Sequence, residues 1–212
     1  MIKPKGIIFD CDGCLLDSEA IFLEAVRRYL ITFKIESDVD DLKFVVGKPM
    51  HTIALDLIEK YHLNLSVDEF IQGERVIFYD MLNNTPLTPM PGLVDLINRA
   101  KDDGLKLAIA SSSPRNYVLN VTNQFGITSL FDEIVTGEQV KNGKPAPDIY
   151  LLAADKLGLP TDQLIVIEDS VNGINAGVSA GIYTIGYKGS IIQQDTSLAN
   201  VSIDHYDQLK WK

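Results

Sequence analysis

The sequence predicts an α/β protein: a doubly wound parallel sheet with a small all-helical unit inserted near its start. Three observations carry this. Short apolar runs, too short for helices, recur at residues 5–9 (KGIIF), 105–110 (LKLAIA) and 164–167 (LIVI), as buried parallel strands do. From residue 91 onward such runs alternate with helical stretches, the order of repeated βαβ units. Between Asp17 and about Asn84 no convincing strand occurs, and three helical patterns do.

Taken in order, residues 5–9 give the first strand, ending at Asp10. The helical section holds patterns at Ser18–Phe33, Met50–Tyr61 and Val67–Leu82 and closes at the proline-containing stretch Thr85–Pro89, read as a linker or hinge. The expected division is a core of residues 1–16 and 86–212 with a helical unit of 17–85. Pro91–Asp103 has Pro at its start, Gly104 past its end, and Leu93, Leu96, Ile97 and Ala100 at helical spacing. The strand at 105–110 follows. Pro114–Phe125 begins after three serines, with Ser113 as the expected N-cap, and stops at Gly126. Ile134–Val135 is a weaker strand, Asp148–Lys156 a helix before Gly158, residues 164–167 a strand, Val171–Ala180 a helix before Gly181, and Tyr183–Ile185 a last strand.

Composition bounds the function. The 212 residues carry 29 acidic and 19 basic side chains, a formal charge of −10, and 46% hydrophobic residues. That is enough apolar side chain for a core, against disorder. Without a basic block the chain is not expected to bind nucleic acid or an anionic membrane. The apolar start ends at Asp10, too short for a signal peptide, and no run of about eighteen apolar residues suggests a membrane span. Two cysteines make no disulfide framework. A cytoplasmic monomer is expected.

Four polar clusters punctuate the strand–helix pattern: Asp10-Cys11-Asp12-Gly13-Cys14-Leu15-Leu16-Asp17-Ser18, Ser111-Ser112-Ser113, Gly143-Lys144-Pro145-Ala146-Pro147-Asp148 and Glu168-Asp169-Ser170. Ligands of open α/β sheets bind beyond the carboxyl ends of the strands, where these clusters would converge. Asp10, Asp12, Glu168 and Asp169 carry four negative charges against the one positive charge of Lys144. Such a site would repel a phosphate unless a divalent cation joined it, and an all-oxygen ligand set points to Mg²⁺.

The four clusters, in this order, resemble the motifs of the haloacid dehalogenase (HAD) superfamily. The likeness is to the branch with a small helical cap after the first motif, which includes β-phosphoglucomutase and many sugar-phosphate phosphatases. The family's D-x-D-G-x-x-x-D-S stands as Asp10 to Ser18, its Ser/Thr motif as Ser111, its lysine as Lys144 and its acidic pair as Glu168-Asp169. The resemblance implies a Rossmann-like core with a cap, and a Mg²⁺-dependent phosphomonoester hydrolase acting on a small phosphorylated metabolite, with a sugar phosphate the expected substrate. It implies Asp10 as the nucleophile that becomes an aspartyl-phosphate and Asp12 as general acid, then base. Mg²⁺ would be held by Asp10, the backbone carbonyl of Asp12 and Asp169, with Glu168 binding directly or through water. Ser111 and Lys144 would hold the phosphoryl oxygens, and Ser112, Arg115 and Lys48 are the candidate substrate contacts. The cap would close over the substrate about hinges near Asp17 and Thr85–Pro89.

Other readings are weaker. Gly143-Lys144 fails as a P-loop: five residues separate Gly137 from Gly143, and Pro145 stands where Ser or Thr is required. Cys11 and Cys14 match C-x-x-C but lack a second pair or a histidine cluster. Cys14 departs from the family, and an oxidation-sensitive activity is expected from it. Asp12 argues against dehalogenation. The loop Gly47-Lys48-Pro49-Met50 has no arginine for a second phosphate, and no histidine follows the first motif, which favours hydrolysis over a mutase. A receiver domain is shorter and has no helical insert. A non-catalytic phospho-ligand module is disfavoured because every catalytic position is filled.

Overall fold

The computed structural model describes residues 3–45, 48, 50–191 and 193–211. The chain divides into two compact units, Met1–Asp17 with Leu87–Lys212, and Ser18–Pro86.

The larger unit is a six-stranded, all-parallel sheet. Its strands are β1 (Gly6–Phe9), β2 (Lys106–Ser111), β3 (Glu133–Thr136), β4 (Leu164–Glu168), β5 (Tyr183–Tyr187) and β6 (Val201–Ile203), in the spatial order β3-β2-β1-β4-β5-β6. Strand β1 is central, and each of its residues is buried. Ile8 lies in register with Ala108 and Val166. These three pack in one apolar cluster with Ile149, Tyr150 and Ala153 of a helix at Asp148–Leu157 and Ala176 of another at Val171–Ser179. Because side chains alternate along a strand, Ile7 and Phe9 point to the opposite face, where Phe131 meets Phe9 edge-on at 5.9 Å. Both faces are covered, as the apolar runs require.

Strand β6 was not expected: three residues with Val201 and Ser202 exposed carry no apolar run. Helix Met50–Tyr61 is as expected, and other helix ends differ from the expected ones by at most two residues. Pro91 does not open its helix; Gly92, with φ near 77°, is the N-cap of Leu93–Asp102. Ser113 does not cap either, because Pro114 occupies the N-cap of Arg115–Gln124 and makes no side-chain cap bond. The glycines expected past helix ends do adopt the left-handed conformation; Gly158, at φ 64°, closes the Asp148–Leu157 helix.

Numbered in chain order, the helices are α1 (Ser18–Thr32), α2 (Met50–Tyr61), α3 (Val67–Asn84), α4 (Leu93–Asp102), α5 (Arg115–Gln124), α6 (Asp148–Leu157) and α7 (Val171–Ser179), with 3₁₀ turns between some of them. The first three form the smaller unit, in which no strand occurs among the described residues. Helix α3 begins in a reciprocal capping box of Ser66 and Glu69. Gly73 lets α3 close on α1, since a Cβ there would collide with the Tyr29 ring, which in turn packs edge-on against Phe70 at 5.2 Å. No helix of the described residues is long and apolar enough to cross a membrane.

Glu74 breaks the apolar pattern of α3. It is 4% exposed, and its Oε1 has no hydrogen-bond partner. Burial pushes its carboxyl up to about 7, with Arg75 opposing. The folded state therefore binds this proton more tightly than the unfolded chain, and the stability it confers, complete below pH 4.5, is lost as pH rises through about 7. Glu74→Gln is expected to stabilise the protein by about 2 kcal/mol at about pH 8 and to be nearly neutral at about pH 4. Thermal unfolding of both proteins across that range checks it; equal shifts at both ends would contradict it.

Candidate active site

Asp10 follows directly on β1, and its N–H continues the ladder to Ile167 O at 2.9 Å. Since Phe9 pairs with both Ile109 and Ile167, Asp10 stands level with Ala110 on one side and Glu168 on the other. The central position of β1 therefore brings the first, second and fourth polar clusters to one end of the sheet. Asp10, Glu168 and Asp169 are 6%, 1% and 7% exposed. One carboxylate oxygen from each lies within 4.8 Å of the others. The loop before α6 delivers Lys144, whose side chain is 6% exposed. Its Nζ donates to Asp10 Oδ1 at 2.5 Å, Glu168 Oε1 at 2.8 Å and Ala110 O at 3.1 Å. It also lies 4.9 Å from the centre of the Tyr150 ring.

Gly13 makes the close approach possible. Its φ is 73°, and a Cβ there would collide with the carboxylate of Asp169. Gly173 does the same for Glu168. Glu168 is fully engaged by protein donors: Oε1 accepts from Lys144 and from Tyr150 OH (3.2 Å), and Oε2 from the Ser170 N–H (2.7 Å) and hydroxyl (3.0 Å). Ser170 also caps α7 by accepting from Gly173 N. By contrast, among the described residues no lysine or arginine pairs with Asp169.

Three buried carboxylates face one ammonium. Burial, opposed by Lys144 and helped by Glu168 and Asp12, pushes Asp10 up to about 7. Burial, with Glu168 and Asp10, raises Asp169 well above the ordinary range. Burial works against the Lys144 ammonium, yet Asp10 and Glu168 hold its pKa well above the usual lysine value. The cluster is thus short of positive charge, and all its free donors are oxygens. That chemistry fits a hard divalent cation at Asp10 and Asp169.

Asp12 points its carboxylate to other partners. Oδ1 accepts from Tyr117 OH at 2.5 Å, and Oδ2 from Ser113 Oγ at 2.7 Å. Burial and Asp12 itself push the Tyr117 phenol up, so it stays a donor. Ser111 ends β2, fully buried, with its Oγ accepting from Ser113 N at 3.0 Å.

The structure therefore gathers Asp10, Asp12, Ser111, Lys144, Glu168 and Asp169 at the ends of β1, β2 and β4. The other expected residues have the following surroundings. Ser112 is exposed. The guanidinium of Arg115 donates to Ile134 O at 2.8 Å, toward the body of the sheet. Lys48 belongs to the smaller unit and pairs with Asp56 at 2.6 Å; its loop neighbours Val46, Gly47 and Pro49 lie outside the described residues. Ser113 serves Asp12 instead of capping α5. Asp17 of the first motif ties down a distant loop, accepting from Ser190 Oγ (3.0 Å) and Ile191 N (2.9 Å). The expected oxidation sensitivity of Cys14 has no support: both cysteines are free and fully buried, and burial raises both thiols well above the ordinary value, which suppresses the reactive thiolate.

Tyr117 and Tyr150 were missed, and Ser170, named in the fourth cluster, was given no role of its own. Ser170 carried a signal, a serine before a helical run. The tyrosines carried none: each reaches the site from the first turn of its helix, α5 or α6.

The profile of the haloacid dehalogenase-like hydrolases matches residues 7–187. The chain is 32% identical over 185 residues to a phosphorylated carbohydrates phosphatase of Thermotoga maritima, covering 85% of this chain and 83% of that protein. It is 30% identical over 180 residues to a fructose-1-phosphate phosphatase of Escherichia coli, covering 85% and 94% of the two. Among solved structures it is similar to a putative β-phosphoglucomutase from Thermotoga maritima, with TM-score 0.82, 29% identity, and 96% and 95% of the two chains covered. The parallel sheet, the ordered motifs at its carboxyl edge and these matches together establish that the chain belongs to the haloacid dehalogenase-like hydrolase family.

Proposed function

We propose that this protein is a Mg²⁺-dependent phosphomonoester hydrolase of small phosphorylated metabolites, with phosphorylated carbohydrates as the substrate class, working through an aspartyl-phosphate on Asp10. The observation that carries this is the buried group of Asp10, Glu168 and Asp169 with Lys144 bound across two of its members. The names of the relatives in Thermotoga maritima and Escherichia coli support the substrate class.

In this reading an oxygen of Asp10 attacks phosphorus. The ester P–O bond breaks, its electron pair goes to the leaving oxygen, and that oxygen takes a proton from the Asp12 carboxyl. Water then attacks the phosphorus of the aspartyl-phosphate, and the Asp12 carboxylate takes the proton this water gives up. Phosphate leaves and Asp10 is restored. Lys144 and Ser111 hold phosphoryl oxygens, and Lys144 offsets the charge that develops on them. Asp10, Asp169 and the backbone carbonyl of Asp12 would hold Mg²⁺; when bound, it supplies the positive charge that lets carboxylate and phosphate approach. Glu168, filled by its four donors, acts by holding Lys144 and the start of α7 in place. The helical unit Ser18–Pro86 is assigned the choice of substrate.

Turnover of p-nitrophenyl phosphate and of a panel of sugar phosphates tests the reading. Activity is expected with Mg²⁺, is expected to vanish with EDTA and to return on adding Mg²⁺ in excess, and free phosphate should appear in step with the alcohol. No hydrolysis of any phosphomonoester would overturn the proposal. Isomerised sugar phosphate without release of phosphate would favour a mutase.

A further inference from the structure

The carboxylate of Asp12 has a protein donor on each oxygen, and the two donors differ in kind. Tyr117 is 6% exposed and comes from α5, a helix that also contributes Val118 and Val121 to the core. Its phenol oxygen sits on a rigid ring, so its 2.5 Å bond to Oδ1 fixes a position. Ser113 lies in the loop before α5, and its hydroxyl, 2.7 Å from Oδ2, turns about a single bond. A carboxyl that must hand over a proton and later take one back needs one oxygen anchored and the other free to face the reacting atoms. We infer that Tyr117 is a positioning residue: by holding Oδ1 it aims Oδ2 of Asp12 at the leaving oxygen and then at water, and Ser113 occupies Oδ2 only until substrate arrives.

The inference rests on the role of Asp12 in the proposed hydrolysis, and the test separates the two. The second-order constant kcat/KM reports steps up to release of the alcohol. An alkyl leaving group needs the proton of Asp12 at that stage; p-nitrophenolate does not. In Tyr117→Phe, which keeps the ring and removes only the hydroxyl, kcat/KM on an alkyl ester is expected to fall roughly 10- to 100-fold, part of the proton-transfer contribution. The alkyl ester is phosphoglycolate or a hexose monophosphate, whichever the wild-type protein hydrolyses faster. On p-nitrophenyl phosphate kcat/KM should fall by no more than a few-fold, while kcat falls on both substrates because attack by water needs the same carboxylate. Equal losses of kcat/KM on both esters, or no loss on the alkyl ester, would overturn the inference. A wild-type protein inactive on all phosphomonoesters would instead remove the proposed function. Should Tyr117→Phe fail to fold, the wild-type protein decides. Its Tyr117 hydroxyl proton is expected as a slowly exchanging, downfield NMR resonance that disappears in Asp12→Ala, and absence of that resonance overturns the inference.

Discussion

Asp10→Asn is expected to abolish phosphomonoester hydrolysis, by at least about four orders of magnitude, and at the same time to stabilise the metal-free protein at alkaline pH. The first effect follows from the proposed chemistry: an amide cannot serve as the phosphoryl acceptor, and removing a covalent nucleophile costs about this much or more. The second follows from the electrostatics. Asp10 is held at about 7 against an ordinary 3.8, by burial first and then by Glu168 and Asp12. The folded protein thus binds this proton more tightly than the unfolded chain. The stability so conferred is full below pH 3.8 and is lost as pH rises through about 7. Asparagine keeps the size of the side chain and an acceptor for Lys144 but never ionises. In EDTA above neutral pH the variant should therefore melt at a higher temperature than the wild-type protein, and at low pH the two should converge. Saturating Mg²⁺ should narrow or reverse the difference, since the wild-type site gains a ligand that the variant has weakened. Melting curves with EDTA and with Mg²⁺, alongside p-nitrophenyl phosphate assays, check both halves. A variant that is inactive but no more stable at alkaline pH would contradict the electrostatic half alone.

Lys144→Met should be damaging in both respects. Lys144 bonds two carboxylates that are 6% and 1% exposed, so its removal leaves buried acid groups facing one another without a counter-charge. Breaking a buried pair in this way costs about 3–5 kcal/mol, a fall in melting temperature on the order of 10 °C for a chain of this size. The carboxyls can escape only by taking up protons, so the loss should be larger at alkaline than at acid pH. Turnover should fall by about 10²- to 10³-fold, the usual consequence of removing a group that stabilises developing negative charge. Divalent cation should restore part of the stability and little of the activity. A variant with wild-type melting behaviour would mean that Lys144 does not hold the cluster together.

The core of the site was legible because its chemistry is carried by short polar clusters directly after buried strands. Asp10, Ser111 and Glu168 could be located from local pattern alone: each stands where an apolar run ends, and parallel strands align their ends. What was not legible depends on where helices face. Tyr117 stands among buried residues of α5 and looks like any core aromatic until Asp12 is found beside its hydroxyl. Arg115, next to the serine cluster in sequence, has its guanidinium on Ile134 O instead. Ser113 resembled an N-cap because Pro114 was taken as a helical residue, whereas Pro114 is itself the cap. Strand β6 lacks an apolar run because only Ile203 of its three residues is buried.

The central claim is that Asp10 carries the phosphoryl group. Asp12→Ala provides the direct measurement. Without the Asp12 carboxylate, p-nitrophenyl phosphate can still phosphorylate the enzyme, because its leaving group needs no proton, but water attack should stall. Acid quenching after mixing with Mg²⁺ and p-nitrophenyl phosphate, followed by peptide mass analysis, should find one phosphoryl group on Asp10, removable by hydroxylamine as an acyl phosphate is. A burst of p-nitrophenol with no phosphoryl group on the protein, or with the group on Ser111, would contradict the account.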